Sequence, residues 1–127
     1  MIHLDTSALV DALTGPRRQA ARLRSLIEQG ERITFCTLVL YEWVRGPRTR
    51  EELTAQEALF PREATVPFGA AEAALAATWY RALPRARGRE LDLAIAACAA
   101  NHGARLWTLN REDFRDIPRL SLVEAGP

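Results

Sequence analysis

Four positions set polar chemistry among apolar neighbours. Asp5 follows Ile2-His3-Leu4 and is followed, past Thr6 and Ser7, by Ala8 and Leu9. Glu42 stands in Leu38-Val39-Leu40-Tyr41-Glu42-Trp43-Val44, and Asp92 in Leu91-Asp92-Leu93-Ala94-Ile95-Ala96-Ala97. Asn110 closes Thr108-Leu109-Asn110, three residues before Asp113. A carboxylate in such surroundings persists when it is paired, protonated or bound to a cation. If the acids converge, they cannot all ionise unless a positive charge joins them. A hard divalent ion with oxygen ligands answers that need, and Mg²⁺ or Mn²⁺ is held by a few carboxylates plus water and substrate phosphate.

Each position also has a plainer reading. Asp92 could pair with Arg87 or Arg89, or sit in a helix's first turn to suit the helix dipole. Glu42 could be an exposed helix residue paired with Arg45, Asn110 an ordinary helix cap, and Asp113 a surface acid. Convergence therefore depends on the elements that carry these residues.

Ile2-His3-Leu4 reads as a short strand, with Thr6 or Ser7 capping a helix to Leu13 that stops at Gly15-Pro16. A helix is expected from about Arg17 to Gln29, with Ala20, Leu23, Leu26 and Ile27 as its apolar stripe. Ile33 to Cys36 is a strand; Thr37 caps a helix over Leu38 to Val44, and Thr49 caps another over Arg50 to Leu59. Ala64-Thr65-Val66 is a weak third strand, and Ala70 to Leu83 and Glu90 to His102 are helices, the latter ended by Gly103. Arg105 to Leu109 is a fourth strand, Asn110 to Phe114 a turn or short helix, and Leu120 to Val123 a last strand. Strands alternating with helices predict an α/β domain with a mostly parallel sheet. Asp5 and Asn110 then stand at strand carboxyl ends, where open α/β sheets bind ligands.

The chain has 127 residues, 48 % of them hydrophobic, and net charge +1, which suits one folded domain over residues 1–127. No stretch has the length of a membrane span and no signal-peptide pattern opens it, which points to the cytoplasm and away from membranes. Cys36 and Cys98 lie among apolar residues and read as buried thiols, and zinc-ligand spacing is absent. All 17 basic residues are Arg, which excludes lysine chemistry including the P-loop. Trp43, Trp79 and Trp107 read as core or dimer interface, His3 as a packed strand residue, and His102 as a partner of a helix C-terminus.

These strings together resemble the PIN domain, and most closely the VapC-type toxins of toxin–antitoxin pairs. The resemblance spans nearly the whole chain. It rests on Leu4-Asp5-Thr6-Ser7, on Glu42 in the helix after the second strand, on Asp92 in Asp-Leu-Ala-Ile-Ala-Ala, and on Thr108-Leu109-Asn110 through Asp113-Phe114. It implies a three-layer fold with a parallel five-stranded sheet flanked by helices. It also implies a Mg²⁺- or Mn²⁺-dependent endoribonuclease using a metal-activated water, a homodimer, and a cognate antitoxin that blocks the active site. Carried over, Asp5 and Asp92 are the main metal ligands and Glu42 completes the cluster. Asn110 departs from the Asp that many members have there, with Asp113 a partial substitute, and Ser7 matches a polar position that orients the site.

RNA approaching such acids needs guiding cations. Arg85, Arg87 and Arg89 precede Asp92, Arg45, Arg48 and Arg50 follow Glu42, Arg111 follows Asn110, and Arg17 and Arg18 follow the first helix; some of these are candidates for phosphate contacts, the 85–89 loop first among them. Two other functions compete. A haloacid-dehalogenase-like phosphatase would use Asp5 as nucleophile, but such enzymes need an acid where Ser7 stands and a lysine this chain lacks. A catalytically silent RNA- or protein-binding module would keep the fold without the chemistry.

Overall fold

A computed structural model describes residues 1–126, and among them the alternation of apolar runs and amphipathic segments becomes four strands and six helices. In chain order these are β1 (Ile2–Leu4), α1 (Thr6–Leu13), α2 (Ala20–Glu28), β2 (Ile33–Thr34), α3 (Thr37–Arg45), α4 (Arg50–Leu59), α5 (Ala70–Ala82), α6 (Glu90–Asn101), β3 (Arg105–Trp107) and β4 (Ser121–Leu122). All strand pairs are parallel, in the order β2-β1-β3-β4. The helices flank this sheet, as α/β alternation requires.

β1 is central because all three of its residues are apolar or packable and are buried on both faces. It pairs Ile2 with Ile33 on one side and Leu4 with Trp107 on the other. The ladder runs one residue further, where the Asp5 amide donates to the Trp107 carbonyl at 2.9 Å. Strand order reverses between β1 and β3, so a crevice opens at their carboxyl ends.

The expected fifth strand is reduced to a single parallel bridge, Cys36 with Val66. The Val66 amide donates to Phe35 and its carbonyl accepts from Thr37, after which Pro67 offers no donor to continue. The second helix starts at Ala20 rather than Arg17, because Arg17 takes a positive φ of 53° in the turn after Gly15-Pro16. Two expected caps also differ. The N-caps of α1 and α3 are Asp5 and Cys36, neither with a side-chain cap bond; the Thr37 hydroxyl instead accepts from the Phe68 amide. Thr49 does cap α4, in a reciprocal box with Glu52 that contributes about 1 kcal/mol.

The core lies between β1, β3 and helices α1, α3 and α6. Leu9, Phe35, Trp43, Ile95, Leu106 and Trp107 are among its largest members. Trp79 is buried as well, so all three tryptophans belong to the interior. Helix α6 is buried without a break from Leu93 to Ala99, as its apolar circumference predicts. Gly103, with φ 64°, turns the chain from α6 into β3. Among the described residues, no helix is long and apolar enough to cross a membrane.

Candidate active site

Asp5 sits at the junction of β1 and α1 and is 4 % exposed. Its backbone caps the helix, its carbonyl accepting from the amides of Ala8 and Leu9 at 3.1 and 3.2 Å. Its side chain is occupied elsewhere, which explains why it does not cap. Oδ2 accepts from the Thr108 hydroxyl at 2.7 Å and from the Ser7 hydroxyl at 3.0 Å. A hydroxyl has one proton, so both point at Asp5, and the 3.3 Å approach of Ser7 to Thr108 is a contact between acceptors. Each hydroxyl oxygen in turn accepts a backbone amide: Ser7 from Leu109 and Thr108 from Asn110, both at 3.0 Å. Two loops are thereby fastened around one carboxylate. Among the described residues Oδ1 has no protein partner.

Asp92 lies in the first turn of α6, half-buried at the edge of that helix's buried run. Among the described residues it has no hydrogen-bond partner. Burial pushes its carboxyl up to about 6, with the negative charges of Asp5, Asp113 and Glu42 adding to the effect in that order. Arg89 opposes the shift only weakly, because its guanidinium is committed to Asp116 at 2.6 and 3.0 Å and to the Asp113 carbonyl at 2.7 Å. The salt bridge that would have made Asp92 merely structural is thus formed with another acid.

Glu42, on α3, accepts at Oε1 from the Thr6 hydroxyl at 2.5 Å. Its Oε2 is 3.9 Å from Arg45, a loose ion pair whose cation is largely exposed. Asn110 is the exposed residue before the 3₁₀ turn Arg111–Asp113, tied by its backbone rather than its side chain. Asp113, at the end of that turn, is exposed and joins through its charge on Asp92.

Sequence does not single out Thr6 and Thr108 as site residues, yet each holds one of the acids. The available signal is a hydroxyl beside a strand end with no cap to make. His3 is 1 % exposed, with both ring nitrogens unpaired and its ring 5.8 Å from that of His102. Burial first, then the charges of His102 and the amino terminus, push it down to about 4, so it is a neutral packed ring near neutral pH. His102 bonds the Cys98 carbonyl at the end of α6, as its place near a helix C-terminus suggests. Arg85 and Arg87 are exposed in the loop before α6, and Arg111 gives one N–H to the Val123 carbonyl.

No three Asp, Glu, His or Cys side chains form a ready metal cage among the described residues. The donors are nonetheless all carboxylate and hydroxyl oxygen, one carboxylate oxygen is free, and the repulsion on Asp92 asks for a positive charge. That set fits a hard cation bound through one or two carboxylates with water completing its shell, as Mg²⁺ prefers.

Comparison with known proteins agrees with the architecture. The sequence profile described as PIN domain matches residues 2–120. The structure of DNA-bound VapBC from Salmonella typhimurium aligns at a TM-score of 0.72 and 19 % identity, covering 96 % of each chain. FitAcB from Neisseria gonorrhoeae aligns at 0.69 and 20 %, covering 98 % of this chain and 97 % of that one. VapBC2 from Rickettsia felis, bound to a promoter DNA fragment, aligns at 0.68 and 20 %, covering 99 % and 100 %. No curated protein matches the chain.

Proposed function

The chain belongs to the PIN domain family, and from that premise we propose that it is a metal-dependent endoribonuclease, the toxin of a toxin–antitoxin pair. The observation that carries this reading is that Asp5, fastened by two hydroxyls at the end of β1, acts with Asp113 and Glu42 to repel the half-buried Asp92, four acids from four separate segments. Asp5 and Asp92 would hold Mg²⁺ or Mn²⁺, with Glu42 beside them. Such an ion, when bound, would supply an activated water and neutralise charge on the scissile phosphate.

The remaining work falls to this chain's own residues. Thr108 and Ser7 fix the rotamer of Asp5 through Oδ2 and leave its other oxygen for a ligand. Thr6 does the same for Glu42. Asp92 shares its proton with solvent near pH 6 and gives it up when a cation is bound. His3 is too buried and too weakly basic to serve as general base. Asn110 leaves the crevice with one charge fewer than an Asp would, which favours one ion over two.

The VapBC and FitAB complexes among the similar structures support an antitoxin partner. An apolar cleft of about 490 Å³ between α2 and α4, floored by Leu23, Ile27, Ala55 and Leu59, offers a seat for an amphipathic segment of such a partner. Tyr41 and Val44 on α3 and Tyr80 on α5 are exposed and open to a second copy in the homodimer that the reading entails. The shared core supports reading residues 1–127 as one domain, and a cytoplasmic location goes with the toxin–antitoxin reading.

The test is RNA cleavage with Mg²⁺ or Mn²⁺ against chelator, for the native chain, Asp5→Ala and Asp92→Asn. Cleavage is expected only in the native chain with metal. Equal activity in all three defeats the reading, and RNA that binds yet stays intact makes the chain a binding module.

A further inference from the structure

A second depression borders the acids. It is a groove of about 820 Å³ between α2 and the segment after β3, and Thr108 and Leu109 form its near end. Thr108 is the residue that holds the Asp5 carboxylate, so the groove adjoins the proposed site. Three guanidiniums line it, those of Arg18, Arg22 and Arg111, against the single carboxylate of Glu124. The apolar cleft across α2 has the opposite balance, with Arg17 and Arg24 facing Glu28, Glu51 and Glu52.

Arg22 is held in place before any ligand arrives. Its Nη2 donates to the Glu124 carbonyl at 2.5 Å, and its guanidinium lies 5.5 Å from the centre of the Trp107 ring. Arg18 is exposed just before α2. Beyond Arg22, Ser25 and Gln29 follow at helical spacing on the same side, joined by a 3.0 Å hydrogen bond. The groove is therefore cationic near the acids and polar but neutral farther out. Trp107 is buried beneath Arg22, so the groove offers no stacking platform there and its chemistry suits a sugar–phosphate backbone.

We propose that this groove carries a single RNA strand away from the acidic crevice, with Arg18 and Arg22 holding successive phosphates. The proposal rests on the ribonuclease reading and specifies the path of its substrate. It places the phosphate contacts at Arg18 and Arg22 rather than in the loop before α6, whose innermost cation Arg89 is taken by Asp116. Binding through this groove is indifferent to base identity, because charge and backbone carry it.

The experiment measures binding of a short fluorescent mixed-sequence oligoribonucleotide to the full chain in chelator, across a salt series. Arg18→Glu, Arg22→Glu, Arg22→Lys, Arg24→Glu and Arg87→Glu are compared with the native chain, with thermal melts to verify folding. Arg18→Glu and Arg22→Glu are expected to weaken binding about tenfold and to flatten the log–log salt slope by roughly 0.7 for each phosphate no longer neutralised. Arg22→Lys retains most of the affinity, and Arg24→Glu, the same charge change on the other side of the helix, has little effect. Native affinity and slope in Arg18→Glu and Arg22→Glu overturn the proposal, as does an equal weakening in Arg24→Glu, or a weakening confined to Arg87→Glu. Cleavage by the native chain with Mn²⁺ is scored separately. Binding abolished in the groove variants without any native cleavage sinks the ribonuclease reading and leaves the groove standing, whereas native cleavage with unaltered groove variants sinks the groove alone.

Discussion

Around Asp5 the chain supplies two hydroxyl protons; around Asp92 it supplies none. Both acids stand at the opening of a helix, α1 and α6, next to buried apolar turns. Asp5 is the more deeply buried and is steadied by partners from its own helix and from the end of β3. Asp92 is left to its neighbours' charges, and its proton is correspondingly hard to remove. One carboxylate is held by partners, while the other is left unbalanced. On the proposed reading a cation would find part of the geometry prepared at Asp5 and would relieve the repulsion on Asp92.

The largest effect should come from removing either acid. Asp5→Asn and Asp92→Asn are each expected to lower metal-dependent RNA cleavage by more than about a hundredfold, since loss of a ligand should exceed the roughly 10–100-fold typical of outer-shell changes. The two acids part company in stability. Asp92→Asn leaves no hydrogen bond unmade, whereas Asp5→Asn turns two charge-assisted hydrogen bonds into neutral ones and buries an amide N–H group where no acceptor stands. Melting curves should show Asp5→Asn as the less stable. A reversed order would mean that the hydroxyl cradle does not hold Asp5.

Thr108→Val tests that cradle directly. It keeps the shape but removes the donor to Asp5 and the acceptor for the Asn110 amide. Cleavage is expected to fall about tenfold, with a stability loss of about 1 kcal/mol, and Thr108→Ser should recover most of both. Full activity in Thr108→Val would show that Asp5 holds its rotamer unaided.

Asp92 makes the prediction about pH. Its folded-state carboxyl titrates near 6 against an ordinary value of 3.8. The folded state therefore binds the proton more tightly than the unfolded chain. The resulting stability is complete below about 3.8 and is lost as pH rises through about 6. A divalent ion that pairs with the ionised form should reverse the loss. The rise in melting temperature with Mn²⁺ is expected to be several degrees at about pH 7.5, and clearly smaller at about pH 5, where protons compete for the same oxygen. An ion effect independent of pH would remove Asp92 from the ligand set.

The smallest effect is expected in chelator. There Asp92→Asn should stabilise the chain at about pH 8 by on the order of 1 kcal/mol, with the gain vanishing near about pH 4. A stabilising change that abolishes activity would mark Asp92 as kept for chemistry rather than for folding.

Much of this was legible in the residues themselves. The sequence by itself determined that Ile2 to Leu4 enters a sheet, that α6 is buried along its length, and that Asp5 and Asp92 stand where apolar segments change direction. Those properties follow from period, composition and local turn chemistry, and α1 and α4 have the bounds expected of them. Only the tertiary structure decided which groups meet. Thr6 reaches Glu42 across 36 residues of sequence, and Thr108 reaches Asp5 across 103. No local pattern encodes such a bond, because it exists only once the register of β1 against β3 is set. The same holds for the arginines. Their number was plain from the start, but which ones are taken by acids and which remain at a groove depends on loops that fold back from distant parts of the chain. Side-chain type is a property of the string; electrostatic company is a property of the packed molecule, because charge acts through space and not along the backbone.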